Sequence, residues 1–342
     1  MKLTFHIGMG KTGSSAIQAA LRANADRLRA QGADYLGMWF DMIDPNFSGV
    51  EKQSNFFALS PPDMIAATDH LIGVLRARND QNGTDHFILS NEAFSGNAKT
   101  MRPMISQLVA AGITVQLIGY ARDPASWLPS AHVQWSIRDK VSPGPVQAYN
   151  DRARELVQWY SGLINWHQMA GDLLDVRSYD AADDIAEDFA TAIGVTLDVP
   201  QKRVLERGED FEILLRAAFN TRFPDHVLPR AFDQAIFRSA SDIPSLEQLA
   251  EQCFNYDQTA QIVAQASPLF EEFKSCFGFD PRDAGKTPPK QPDMEHLRRR
   301  ILDYLVETNI RQARRLLKLE RQMADTEAQM QHLAQRLDAA GL

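Results

Sequence analysis

Gly10, Lys11, Thr12, Gly13, Ser14 and Ser15 follow one another inside the stretch TFHIGMGKTGSSAIQAAL, residues 4–21. The run combines one full positive charge, three hydroxyl donors and glycines that let the backbone fold tightly around a ligand. Set between a strand and the first turn of a helix, such a run also collects free backbone N–H groups at the positive end of the helix dipole. The chemistry it suits is the holding of a phosphate or a close relative. Glu92, in LSNEAF, is a candidate proton acceptor, because it ends an apolar run where open α/β sheets place their ligands. His6 and His132 are rival bases; His6, in mid-strand, fits a buried hydrogen-bonded role better, and His132 is a candidate to face the cleft.

These residues need a frame to hold them. KLTFHIG, 2–8, has the β-branched and aromatic content of a buried strand, and apolar spacing from Ser14 to about Ala30 predicts a helix. HFILSNE, 86–92, and ITVQLIGYARDP, 113–124, are further strands, with Pro124 opening a helix at its first turn. LLDVRSYD, 173–180, is a weaker strand before helical DIAEDFATAIG, and helical patterns fill 147–170 and 208–275. Strands alternating with helices predict an α/β fold, a three-layer sandwich about a central parallel sheet.

Two families of anion-binding turn compete for the glycine-lysine run. A nucleoside triphosphatase loop needs a glycine five residues before Gly10, and Phe5 stands there. FILSNE also lacks the aspartate that would serve magnesium. GKTGSS instead resembles the 5′-phosphosulfate turn, P-K-[ST]-G-[ST]-[ST], of sulfotransferases that use 3′-phosphoadenosine 5′-phosphosulfate (PAPS), with Gly10 in place of the proline. A second match is similar to the same family's 3′-phosphate site: Arg122 ends a strand in YARDPASWLPSAHVQ and Ser130 follows eight residues later. VRSYDAADDIAEDFATAIGV, 176–195, echoes the family's tyrosine-acid step before a helix, so the resemblance covers about half of the chain.

The resemblance implies a P-loop-NTPase-like fold, PAPS as cofactor with 3′,5′-adenosine diphosphate as product, and no metal. It implies that Gly10, Lys11, Thr12, Gly13, Ser14, Ser15, Arg122 and Ser130 bind the nucleotide. It places Lys11 near the bridging oxygen and Glu92 as the base that deprotonates a hydroxyl or amine of a saccharide, lipid or small metabolite. Trp39, Trp127 and Trp135 are candidates to stack on adenine or a sugar ring, though core packing suits any one of them better. The family's Asn-x-Ser loop has no counterpart in QKRVLERGEDFEILL, 201–215, where Lys202, Arg203 or Arg207 would have to supply the positive contact. The rival readings are a kinase-like phosphotransferase on the same turn and an inactive coiled-coil scaffold.

The chain has 342 residues, a net charge of −8 and two cysteines without ligand spacing. Length allows a large core, and the charge gives no global field for nucleic acid. Cys253 and Cys276 read as reduced thiols, and the absence of a membrane span or leader pattern predicts a cytoplasmic protein. The expected organisation is an α/β domain over 1–280, a proline-rich linker over 281–292 and a coiled-coil helix over 293–340. In that helix Leu302, Asn309, Leu316, Met323, Met330 and Leu337 are spaced by seven, with Leu305, Gln312, Leu319, Thr326, Leu333 and Ala340 at the matching d positions. The seam predicts a homo-oligomer. Nine Lys/Arg and eight Asp/Glu in 293–338 make the helix nearly neutral, which argues against a nucleic-acid patch.

Overall fold

The computed structural model describes residues 1–199, 210–221, 223–229, 232 and 245–339. Five strands form one sheet: β1 (Lys2–His6), β2 (Ala33–Gly37), β3 (His86–Ser90), β4 (Thr114–Ala121) and β5 (Leu174–Ser178), in the order β2-β3-β1-β4-β5. Every pairing is parallel; Phe5 stands opposite Leu89 on one side and Leu117 on the other. The chain leaves β1 for the β2–β3 side and later returns to the β4 side, so the sheet reverses its winding at β1. Ligands of open α/β sheets bind outside the carboxyl ends of strands at such a switch point.

Residues alternate across the sheet with the period of two that a strand imposes. On one face Ile88, Ile118 and Tyr120 pack with Ile17 and Leu21 of α1 (Ser14–Ala23), Leu28 of α2 (Ala25–Ala30) and Phe189 and Ile193 of α9 (Ile185–Ile193). The other set, Leu3, Phe5, Phe87, Leu89 and Leu117, is as completely buried. Here the chain supplies α4 (Pro61–Asn82), α5 (Ala98–Ala110) and α8 (Ser161–Ala170), and Trp166 of α8 donates its indole N–H to the carbonyl of Phe94, whose ring meets Phe5 edge-on. Fully burying such side chains contributes roughly 1.5–3 kcal/mol each.

One local expectation is corrected, and one strand was not expected. The helix expected over 14–30 is broken at Asn24, whose side-chain amide donates to the carbonyls of Ala20 (2.9 Å) and Asp198 (2.9 Å) and accepts from the Asp198 amide (2.7 Å). An asparagine that bonds the backbone in this way competes with the helix ladder. The edge strand β2 carries no apolar run: ADYLG is mostly half-buried and pairs on one side only.

After β4, α6 (Pro124–His132) runs into a π-helical turn, Val133–Arg138, before α7 (Tyr149–Leu156). The remaining elements include α3 (Gln53–Phe57), α10 (Asp210–Asn220), α11 (Leu246–Phe254), α12 (Thr259–Gln265), α13 (Ser267–Phe277) and α14 (Met294–Ala339). The chain divides into two compact units, one of residues 1–207 and 216–291, the other of 208–215 and 292–342. In the first unit the proline-rich segment is tied down at its start: Pro281 is buried in a short 3-10 turn, and the Lys286 amide donates to Asp123 (2.9 Å). No described helix is long and apolar enough to cross a membrane.

Candidate functional site

The glycine-lysine turn leaves the carboxyl end of β1, which its neighbours hold on both sides. Ile7 donates to the Ile118 carbonyl (2.8 Å) and Asn91 donates to the His6 carbonyl (3.1 Å). The turn then takes a left-handed backbone at Gly8, Gly10, Lys11 and Gly13. Lys11, with φ 57°, is the one non-glycine residue so placed among those described. A conformation of that kind costs on the order of 1–3 kcal/mol and persists where surroundings enforce it. Gly13 precedes α1, and its carbonyl accepts from Ala16 (2.9 Å) and Ile17 (3.0 Å). The amides of Ser14 and Ser15 lie ahead of those first intrahelical bonds, which is where a helix presents free donors.

The side chains of the turn point to the same conclusion. Thr12 Oγ1, Ser14 Oγ and His6 Nε2 are buried without a hydrogen-bond partner. A methyl group added at Gly8 would lie 2.8 Å from Ser14 Oγ and 3.4 Å from His6 Nε2, so these two atoms crowd the same spot. Buried polar atoms are nearly always paired, and orphans gathered at a helix start fit an anion that would pair them. Ser15 is exposed at the head of α1.

Gly10 departs from the proline of the resembling turn for a reason visible in the packing. Its φ is 61°, out of reach of proline. A Cβ there would also lie 2.5 Å from the ring of Trp135. Trp127 is fully buried and donates its indole N–H to the Gly10 carbonyl (3.0 Å). Trp127 is therefore a support for the turn, not a stacking platform. Trp39 lines a cavity of only about 10 Å3 with Phe40, Phe47 and Phe56. Trp135, on the π-helical turn, also lies against the glycine-lysine run, at Gly10.

Arg122 follows β4, the strand beside β1, and Nη1 donates to the carbonyl of Lys11 (3.3 Å). The guanidinium carbon lies 5.2 Å from the centre of the Tyr179 ring. Asp123 is not its ion-pair partner: that carboxylate accepts from the amides of Ala125 (2.8 Å) and Lys286 (2.9 Å). Asp180 accepts from the Asp123 amide (2.7 Å), so the Tyr179–Asp180 step braces the strand end. The hydroxyl that Arg122 touches is Ser126 Oγ (3.0 Å). Ser130 stands half-buried one turn further along α6, on the same helix face.

Glu92 lies just past β3, the other neighbour of β1, as the first residue of a 3-10 turn capped by Asn91, which accepts from Ala93 (2.9 Å). Burial raises its carboxyl above the ordinary range, opposed by a hydrogen bond from Gln18 and by the charge of Lys11. Gln18, on α1, also donates to the Ser90 carbonyl (3.1 Å). Burial, then the charges of Arg138 and Arg122, lower the Lys11 ammonium, while Glu92 and Asp139 work the other way. Lys11, Arg122 and Arg138 thus make a local positive field in a chain of net negative charge, with Glu92 and Asp139 at its border.

The histidine alternatives fall away as bases. His132 is fully buried, bonds the Gln147 carbonyl through Nε2 (3.1 Å) and meets Tyr149 edge-on; it faces the core rather than a cleft. His6 bonds Ser90 Oγ (2.7 Å), and burial pushes its pKa down to about 3.

Sequence reasoning missed Gln18, Tyr35, Arg138 and Asp139, and offered Trp135 only as one of three tryptophans that could stack. Tyr35 sits on β2; its hydroxyl is buried without a partner and is raised to about 12, chiefly by burial, with Glu92 among the contributing charges. Trp135, Arg138 and Asp139 arrive through the π-helical turn, which no periodicity announces. Lys202, Arg203 and Arg207 lie outside the described residues. A cleft of about 380 Å3 at β5 holds Arg177 and Asp188, already paired at 2.7 Å, and is separate from these groups. No described His, Cys, Asp or Glu residues form a group that would hold a metal.

No family model matches the chain, and no curated protein matches it. Among solved structures, a sulfotransferase from Alicyclobacillus acidocaldarius is similar at 12% identity and a TM-score of 0.41, over 84% of this chain and 99% of that one. So loose a likeness decides nothing about this chain's chemistry, which has to be argued from the groups around β1.

Proposed function

We propose that the chain is a sulfotransferase that takes PAPS as donor and passes a sulfuryl group to a hydroxyl or amine of a saccharide, lipid or small metabolite. The observation that carries this reading is the juxtaposition of Lys11 and Arg122, joined by a hydrogen bond although 111 residues apart. An anion at each end is what a 3′,5′-bisphosphorylated nucleotide offers. The orphaned Thr12 and Ser14 hydroxyls and the free amides at the start of α1 suit its 5′ end. Arg122, with Ser126 and Ser130 on the facing side of α6, suits the 3′-phosphate, because a planar guanidinium matches a phosphate dianion.

PAPS supplies a sulfuryl group on a phosphate leaving group. Lys11 places its ammonium where charge grows on the leaving oxygen. Burial and the two arginines lower the Lys11 ammonium, and a bound anion would oppose that shift. Arg138 adds a third cation to the field of Lys11 and Arg122. Glu92, raised by burial, accepts the proton of the acceptor hydroxyl as that oxygen attacks in line. Gln18 fixes the Glu92 carboxylate, and Tyr35 offers a donor beside it. Transfer of this kind depends mainly on positioning and on neutralising the leaving group.

The test is a screen of acceptors with labelled sulfuryl donor, run on wild type and on Lys11→Ala and Glu92→Ala. The reading requires label transfer by wild type without added metal, and loss in both variants. Transfer of a phosphoryl group from ATP–Mg, with none from PAPS, would instead favour the kinase-like alternative.

A further inference from the structure

We infer that α14 pairs with α14 of a second copy of this chain as a parallel, in-register, two-stranded coiled coil. This inference stands apart from the proposed chemistry. From Asn309 to Met323 every residue of the helix is exposed. The heptad a positions are the apolar ones most at odds with that exposure: Leu302 is 62% exposed, Leu316 59%, Met323 63% and Met330 66%. By contrast Leu297 and Ile301, nearer the start, are buried. A long helix in a protein takes most of its stability from packing its apolar face, and here that seam is uncovered.

Charge selects the occupant and its direction. The g positions are Thr308, Arg315, Gln322, Gln329 and Arg336; none is acidic. The e positions are Val306, Ala313, Glu320, Glu327 and Ala334; none is basic. Antiparallel pairing sets g against g and e against e, and so offers no opposite charges. Parallel pairing sets each g against the following e of the partner, and brings Arg315 to Glu320 on both sides of the seam. Asn309 gives the same answer. It occupies an a position and is exposed, and its amide bonds only the Leu305 carbonyl of its own helix (2.8 Å) among the bonds of the described residues. In a parallel pair in register the two Asn309 side chains meet, the arrangement that fixes register and favours dimers.

The experiment uses the full chain. Sedimentation equilibrium over a micromolar concentration series should give a dimer. Arg315→Glu should weaken it by about tenfold at low salt, and adding Glu320→Arg should restore it. Separately, Gln312→Cys and Thr326→Cys are each made at d positions in a Cys276→Ser background, the remaining Cys253 being buried. Both should form intermolecular disulfides on mild oxidation, since only a parallel pair in register brings both positions to their counterparts. A monomer across the series would overturn the inference. So would a dimer in which only one cysteine variant cross-links, or neither does, or in which the charge swap fails to restore pairing.

Discussion

Arg122 and Lys11 stand 111 residues apart in sequence, and the guanidinium of the first donates to the backbone carbonyl of the second. The contact exists because β4 and β1 are neighbours in the sheet and both residues follow their strands at the same end. Adjacent strands lie about 4.8 Å apart, so the Arg122 side chain leaving one strand end reaches the turn that leaves its neighbour. Glu92 enters from the opposite neighbour, β3. The three groups thus come from the ends of three consecutive strands, with the reversal of winding at the middle one.

Lys11 should matter to rate more than to folding. Lys11→Ala is expected to reduce turnover by about 100-fold or more, in line with other deletions of a charge facing a leaving group. The thermal midpoint of Lys11→Ala should hold and that of Lys11→Gly should rise, because only glycine removes the strain of this left-handed position. Steady-state kinetics and a melting curve on the two variants check both halves.

Arg122 should read one phosphate selectively. Arg122→Ala is expected to weaken 3′,5′-adenosine diphosphate by about 10- to 100-fold while changing adenosine 5′-monophosphate little. Calorimetry with both nucleotides on both proteins gives the coupling directly. Equal losses for the two ligands would place Arg122 elsewhere.

The pH profile of kcat/KM should be a narrowed bell. Glu92 must be ionised to act as base, and burial raises it, so activity should fall on the acid side at higher pH than an ordinary carboxylate would give. Lys11 must be charged, and burial with Arg138 and Arg122 lowers it, so the alkaline limb should begin early. Glu92→Gln should abolish the acid limb along with most of the turnover while leaving nucleotide binding intact. Arg138→Met should move the alkaline limb upward, because of the two arginines Arg138 opposes the Lys11 ammonium more strongly.

Acid should destabilise the fold through its buried histidines. Burial holds His6 at about 3 and His86 and His132 at about 4, against an ordinary 6.5. Below pH 6.5 the unfolded chain takes up protons that the folded chain refuses, so their contribution is complete above that pH and is lost as pH falls toward 4 and 3. Each such group contributes a slope of at most about 1.4 kcal/mol per pH unit. Denaturant unfolding of His132→Gln between pH 7 and 4 should show a shallower slope, by about one proton.

What the sequence made legible follows from which signals are local. The run from Lys2 through Ser15 encodes a strand, a turn and a helix start within a few residues, and Arg122 ends the long apolar run of β4. Glu92 could be placed because HFILS has a continuous apolar centre, Phe87, Ile88 and Leu89. β2 was not legible, since an edge strand pairs on one side and ADYLG has no apolar run, and Tyr35 went with it. Arg138 was missed, and Trp135 could not be told apart from Trp39 and Trp127, for another reason. They owe their places to a π-helical turn that shifts the phase of α6, and a 3.6-residue period cannot foretell that shift. His132 was misplaced because its position after Ser130 says nothing of which side of that turn it takes.

The most direct measurement is calorimetric titration of the full chain with 3′,5′-adenosine diphosphate in the absence of divalent metal. One site per chain is expected, with a Kd on the order of micromolar, weakened by both Lys11→Ala and Arg122→Ala. No heat with this nucleotide, or binding that neither substitution alters, would contradict it.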